Sequence, residues 1–311
     1  MEFLPYPIEA AAFRVIKVLA ELPAGSALLG IGGGMSWFAR SYLSLISCLF
    51  PLLMAPAKAD TLSDIRAKGE IVVGTKADYP PYGFKNEASQ IVGIEPDLAA
   101  DLAKRIGVKL RIVPVLSSNR IQLLQEGKID LMIATLSITE ERRQMVGIID
   151  PPYYAAGIAG LADPKAGIES ETDLKGKSVC AIKGNFFNDD LRTLYAQKDP
   201  LIFDGVPAAE EALTQGRCVI FVFDETLMLS KKKYEAEKWK NYELVQFTEV
   251  DPLPWGIAVK LEDRKSAYGK LISAAIVDWH RTGLLVDLEK KWLGTNTRWI
   301  LGVREKYKVR P

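Results

Sequence analysis

The chain has 311 residues, room for two domains or one large one, and its 48% hydrophobic and 25% charged residues are those of an ordinary globular protein. Its 40 basic and 39 acidic residues leave a formal charge of +1, without the basic excess that nucleic-acid binding requires. Three cysteines and one histidine make no metal-ligand cluster, and no cofactor is expected.

The N-terminus reads as a leader. From Met35 a short basic start (MSWFAR) precedes the apolar run SYLSLISCLFPLLM, and the small-residue end APAKA stops before Asp60. This is the order of a secretory signal peptide over 35–59, cut after Ala59, which sends the mature chain to the periplasm. The run is shorter than the ~20 residues of a spanning helix and contains a proline. Leu45-Ile46-Ser47-Cys48 resembles a lipoprotein cleavage box, but the apolar stretch before Cys48 is short and continues after it. Residues 1–34 add nothing a signal peptide needs and are expected to be a non-native upstream extension.

After the leader, strand and helix signals alternate. The β-branched run 70–75 is a strand, and a Pro/Gly-rich turn follows at 80–83. Leu98, Leu102 and Ile106 recur at four-residue spacing, which predicts one helix face over 97–106. Strand 109–115, helix 119–125 and the apolar strand 129–134 complete a βαβαβ unit, so a parallel sheet with helices on both faces is expected. The pattern restarts after about residue 160, with strands over 178–182 and 219–223 and helices over 188–196 and 225–232. A helical tail is predicted over 267–292. Cys180 and Cys218 both fall in predicted strands of the second half. Neighbouring strands lie about 4.8 Å apart, close enough for a disulfide.

The search for catalysis is mostly negative. The single histidine, His280, sits in a helical context beside Trp279 and suits packing, and there is no G-x-S-x-G elbow. What remains are polar groups at strand ends, where open α/β sheets bind ligands. Ser137 and Glu140 match the capping box S-x-x-E, which predicts a helix start after strand 129–134. Arg142 then stands in the first turn, where the helix dipole disfavours a cation. Strand 219–223 ends on Asp224, a carboxylate able to receive an ammonium group or to cap the next helix. The two residues carry opposite charges on opposite halves, as a zwitterionic ligand would need.

Residues 74–82 (GTKADYPPY), 92–98 (VGIEPDL), 127–131 (GKIDL), 135–142 (TLSITEER), 152–154 (PYY) and 173–177 (DLKGK), in this order, resemble the polar amino-acid-binding periplasmic proteins of ABC importers. The resemblance covers about residues 61 to 295. It implies a type II periplasmic binding fold: two α/β lobes, each a mostly parallel sheet flanked by helices, joined by two crossover hinge strands. Lobe one would comprise 60–157 plus 254–311, and lobe two 158–253.

By position, Arg142 would hold the ligand α-carboxylate, Thr135 and Ser137 its α-amino and carboxylate groups, and Asp224 the α-ammonium. Tyr79 would cover one face. Gly184 is followed by Asn185 where relatives often have a small hydroxyl residue, so Asn185 or backbone N–H groups would serve there. Lys76, Ser117 and Arg120 would line the side-chain pocket; the stretch S-x-N-R-I-x-L-L at 117–124 resembles that of glutamate/aspartate-binding members. Two cations there imply an acidic ligand, with neutral polar amino acids such as glutamine or cystine next. The expected partners are a free amino acid and a membrane permease, with the protein a monomer and not an enzyme. The alternative is an exported cyclohexadienyl dehydratase on the same scaffold. N-terminal sequencing of exported protein should give Asp60 as the first residue; an intact leader or a lipid-modified Cys48 would refute this.

Overall fold

A computed structural model of the protein describes residues 60–248 and 250–307. The leader, the upstream extension and Cys48 lie outside the described residues. The chain forms β1 (Glu70–Thr75), a short antiparallel excursion through β2 (Asp78–Tyr79), β3 (Gly83–Lys85) and β4 (Ile91–Val92), then β5 (Lys109–Pro114), β6 (Leu131–Ser137) and β7 (Gly147–Ala156). A second set follows: β8 (Ile158–Ala162), β9 (Val179–Ile182), β10 (Leu201–Phe203), β11 (Ile220–Asp224) and β12 (Glu243–Gln246), before β13 (Leu253–Val259).

Two five-stranded sheets result, ordered β5-β1-β6-β13-β7 and β10-β9-β11-β8-β12. Each has four strands running one way and one running against them, β13 in the first sheet and β8 in the second. The sheets are thus mostly parallel, as expected, and the odd strand in each is the one that enters from the other sheet. All seven residues of β6 are buried, as a strand covered on both faces must be. Leu98, Leu102 and Ile106 turn inward from the helix Ile94–Ile106.

The chain leaves the first sheet through β7 and returns in β13, and these two strands pair, with Ala156 opposite Leu253 and Tyr154 opposite Trp255. Trp255 is fully buried. Its ring lies 4.8 Å from Tyr82, 5.3 Å from Tyr154, 6.0 Å from Tyr79 and 6.4 Å from Tyr153. Edge-on and tilted aromatic pairs each add about 0.5–1.5 kcal/mol beyond area burial, so the crossover is a packed joint.

Three local expectations are corrected. The helix after β6 is Glu140–Met145, and its cap is Thr139, whose side chain accepts from the Arg142 N–H; Ser137 still belongs to β6 and caps nothing. The helix expected over 188–196 is Asn188–Asp190 followed by a wider turn, Leu191–Tyr195, closed by the Ala196 N–H on the Leu191 carbonyl. The tail splits into Ala267–Thr282 and Leu284–Leu293, because Gly283 takes a left-handed conformation. Among the described residues, no helix is long and apolar enough to cross a membrane.

Cys180 in β9 and Cys218, just before β11, form a disulfide with Cα atoms 5.7 Å apart and a sequence separation of 38. A loop of that length gives about 4 kcal/mol of stabilisation on the chain-entropy account. Unfolded, unreduced mature protein should therefore show no free thiol, and Cys180→Ala/Cys218→Ala should lose most of that stability in denaturant titration. Two titratable thiols in the unreduced protein would contradict the bond.

Candidate functional site

The strand ends of both sheets close around a small cavity of about 10 Å³. That is room for about one water. Ser117, Arg120, Thr135, Ser137 and Arg142 line it from the first sheet's side, and Asn185 and Asp224 from the second's, with Phe186 and Phe223 as its apolar wall. A wider groove opens beside it and shares Ser117, Arg142, Asn185 and Phe186. Sequence reasoning gave no sign of the two phenylalanines.

Arg142 is held by two backbone carbonyls. Nη1 donates to the Ser137 carbonyl at 2.8 Å, and Nη2 donates across the cleft to the Gly184 carbonyl at 2.9 Å. Gly184 permits that approach: its φ is +79°, and a Cβ there would lie 2.5 Å from the Ser117 carbonyl oxygen. Asn185 uses its Oδ1 on the Phe187 N–H, so its amide donor end is what it can offer a ligand.

Asp224 occupies the cap position of the helix Glu225–Tyr234 but makes no capping bond. Its carboxyl is therefore not committed to the helix. Burial raises its pKa to about 6, against the opposing influence of the Tyr79 hydroxyl, Arg120 and Arg142. Burial likewise lowers Arg142, and lowers Arg120 to about 9.

The first sheet supplies the other half through an irregularity in β6. Thr135 has φ +48°, a conformation that costs a β-branched residue about 1–3 kcal/mol. Its N–H is held by Glu95 Oε1 at 2.7 Å and by the Tyr153 hydroxyl at 3.2 Å. Arg120 Nη1 donates to the carbonyls of Ala134 and Thr135, the latter at 3.0 Å. The register of β6 against β13 shifts between Gly256 and Ala258, which frees these groups from the ladder. Glu95 is fully buried, and that burial raises its carboxyl to about 7. Nothing in the sequence marked Glu95 beyond its place in the motif at 92–98.

Two candidates stand outside the cavity lining. Lys76 is fully buried, with Nζ 3.0 Å from Asp78 Oδ1 and 3.4 Å from Ser117 Oγ, so its charge is already matched. Burial lowers its pKa. Tyr79 is also fully buried, and its hydroxyl meets Thr226 Oγ1 at 2.7 Å, joining the two lobes. His280 is buried against the Pro152 carbonyl, a packing role far from the cavity's residues in the chain.

The raised carboxyl of Asp224 sets a sign. Its folded pKa of about 6 exceeds the ordinary value of 3.8, so the native state binds the proton more tightly and gains stability as pH falls through that window. Above pH 6 the buried charge costs up to about 3 kcal/mol. Asp224→Asn should therefore raise the melting temperature of unliganded protein at pH 7.5 and flatten its stability between pH 4 and 6. A lower melting temperature would show that the charge is paid for within the fold.

The chain matches the model of bacterial extracellular solute-binding proteins, family 3, over residues 71–295. It is 34% identical over 242 residues to the glutamine-binding protein GlnH of a Bacillus subtilis ABC transporter, covering 76% of this chain and 86% of the relative. Among solved structures it is similar to an ancestral arginine-binding protein bound to glutamine, at 35% identity and TM-score 0.65, covering 73% of this chain and 98% of that one. It is also similar to an ancestral amino acid-binding protein that is a precursor of cyclohexadienyl dehydratase, at 29% identity and TM-score 0.64, covering 75% and 99%. With two lobes meeting at one small charged cavity, the chain belongs to the bacterial extracellular solute-binding proteins of family 3.

Proposed function

We propose that the protein captures a free polar amino acid outside the cytoplasmic membrane and delivers it to the permease of an ABC importer. One observation carries this reading: Arg142 and Asp224, opposite in charge and carried by different lobes, are buried in the lining of one small cavity. An amino acid satisfies both. Its α-carboxylate meets the guanidinium fork, and its α-ammonium meets the carboxylate. Each lobe then contributes one half of the recognition, so the ligand favours the closed arrangement through interactions the open one lacks.

The side-chain end faces Arg120 and Ser117. Arg120 Nε is buried with no hydrogen-bond partner among the described residues, so a ligand oxygen there relieves an unsatisfied donor. Glutamate and glutamine both supply one, whereas arginine brings a second cation. The pairing of Lys76 with Asp78 leaves one cation where the sequence implied two, and this favours the amide over the acid. The dehydratase reading has one observation in its favour, Asp224 raised to about 6 at the cavity, a value suited to a general acid. Ultraviolet monitoring of prephenate and arogenate tests it, and no turnover is expected.

Calorimetry of ligand-stripped mature protein against the twenty amino acids tests the main reading. Arg142→Ala and Asp224→Ala should each lose about 2–5 kcal/mol of binding, because each leaves a buried ligand charge unpaired. Micromolar affinity is worth only about −8 kcal/mol, so either change can abolish detectable binding. Unaltered affinity in Arg142→Ala would discard the proposed frame, and tight arginine binding would discard the acceptor-ended ligand class.

A further inference from the structure

Asp78 belongs to β2, beside the cavity and outside its lining. Its side chain is 13% exposed, and Oδ1 lies 3.0 Å from Lys76 Nζ. Its other oxygen, Oδ2, accepts the backbone N–H of Val206 at 3.2 Å. Val206 opens the helix Val206–Thr214, which packs with the second sheet, and the residue at the cap position is Gly205. Gly205 has no side chain with which to cap. The first turn of a helix leaves N–H groups without internal partners and carries positive potential, so it needs an acceptor. Here the acceptor comes from the opposite lobe. The fit is close: a Cβ on Gly205 would stand 3.1 Å from Asp78 Oδ2 and 3.8 Å from Leu116.

Two neutral bonds accompany it across the same face, Tyr79 to Thr226 and the Ser230 hydroxyl to the Pro80 carbonyl at 2.8 Å. Asp78 adds a charge-assisted bond at a helix terminus, the stronger kind. Its carboxylate is steadied by Lys76, which in turn reaches Ser117 at the cavity wall.

We propose that Asp78 is a positioning residue for ligand capture: carried by lobe one, it caps the lobe-two helix Val206–Thr214 and holds the lobes closed over the amino acid. This rests on the amino-acid-binding reading above. When the lobes part, the Val206 N–H loses this acceptor while the Lys76–Asp78 pair survives within lobe one. The cap thus contributes to the closed state alone. Its loss accelerates ligand release and leaves association nearly unchanged.

The test removes the bond from each side. Asp78→Ala deletes the acceptor, with Asp78→Asn as the conservative variant that keeps an oxygen but not the charge. Val206→Pro deletes the donor without touching Asp78 or Lys76, and proline is well tolerated at the first helical position. Stopped-flow release of the amino acid that binds best to the unmutated protein is compared with the melting temperature of each unliganded variant. Asp78→Ala and Val206→Pro should each release ligand roughly 5- to 10-fold faster, the scale of a lost helix cap. Asp78→Asn should fall between them and the unmutated protein. The Asp78→Ala/Val206→Pro double variant should release no faster than Asp78→Ala alone, because the bond that Val206→Pro removes is already gone. Unchanged release rates, or effects that multiply in the double variant, overturn the latch while leaving amino-acid binding intact. Lower melting temperatures with unchanged release likewise assign Asp78 to folding alone and overturn it. If the unmutated protein binds none of the twenty amino acids, the functional reading falls and the latch with it.

Discussion

Charges taken out of water must be matched, and this constraint organises the whole cleft. Arg120, Arg142, Glu95 and Asp224 are all buried at or beside one cavity. The fold meets part of the cost with its own groups: carbonyls for the arginines, an N–H and a tyrosine hydroxyl for Glu95. Asp224 and the Nε of Arg120 are left less well provided for. The amino acid proposed above, with a carboxylate, an ammonium and an acceptor-ended side chain, would supply such partners, and selectivity for it would follow from electrostatics as much as from shape.

The remaining structure keeps those charges in register. The bulged backbone around Thr135 turns its N–H and carbonyl out of the ladder, and Glu95 and Arg120 fix them from either side. The tyrosines around Trp255 pack the crossing point of the two chain passages. In lobe two, the Cys180–Cys218 bond ties β9 to the approach of β11, the strand that ends on Asp224. Each anchor is thus braced by a different means: strand irregularity in one lobe, covalent cross-linking in the other.

The sequence made legible whatever depends on pattern. Apolar runs and four-residue spacings located β1, β6, β9, β11 and the helix Ile94–Ile106. Arg142 and Asp224, picked out at or beyond strand ends, both line the cavity, and Cys180 and Cys218, in or beside predicted strands, form the expected disulfide. What escaped depends on distant pairing. Lys76 read as a cation facing the pocket, whereas the structure pairs it with Asp78. The capping box at Ser137 was a valid motif in the wrong frame: β6 runs through Ser137 and leaves Thr139 to cap. Glu95 sat in a recognisable motif, but its bond to the Thr135 N–H, forty residues away, has no local signature.

Lobe two is an insertion whose two ends are neighbours. The chain departs at Ala156 and returns at Leu253, directly opposite in paired strands. Such a segment can be exchanged as a cassette with little disturbance of its host, because its entry and exit already sit side by side. It carries the group proposed for the ammonium, common to every amino acid, while Arg120 and Ser117 remain in lobe one. Recombination between paralogues at this joint would therefore renew the part of the site that all ligands share and leave inherited selectivity where it was.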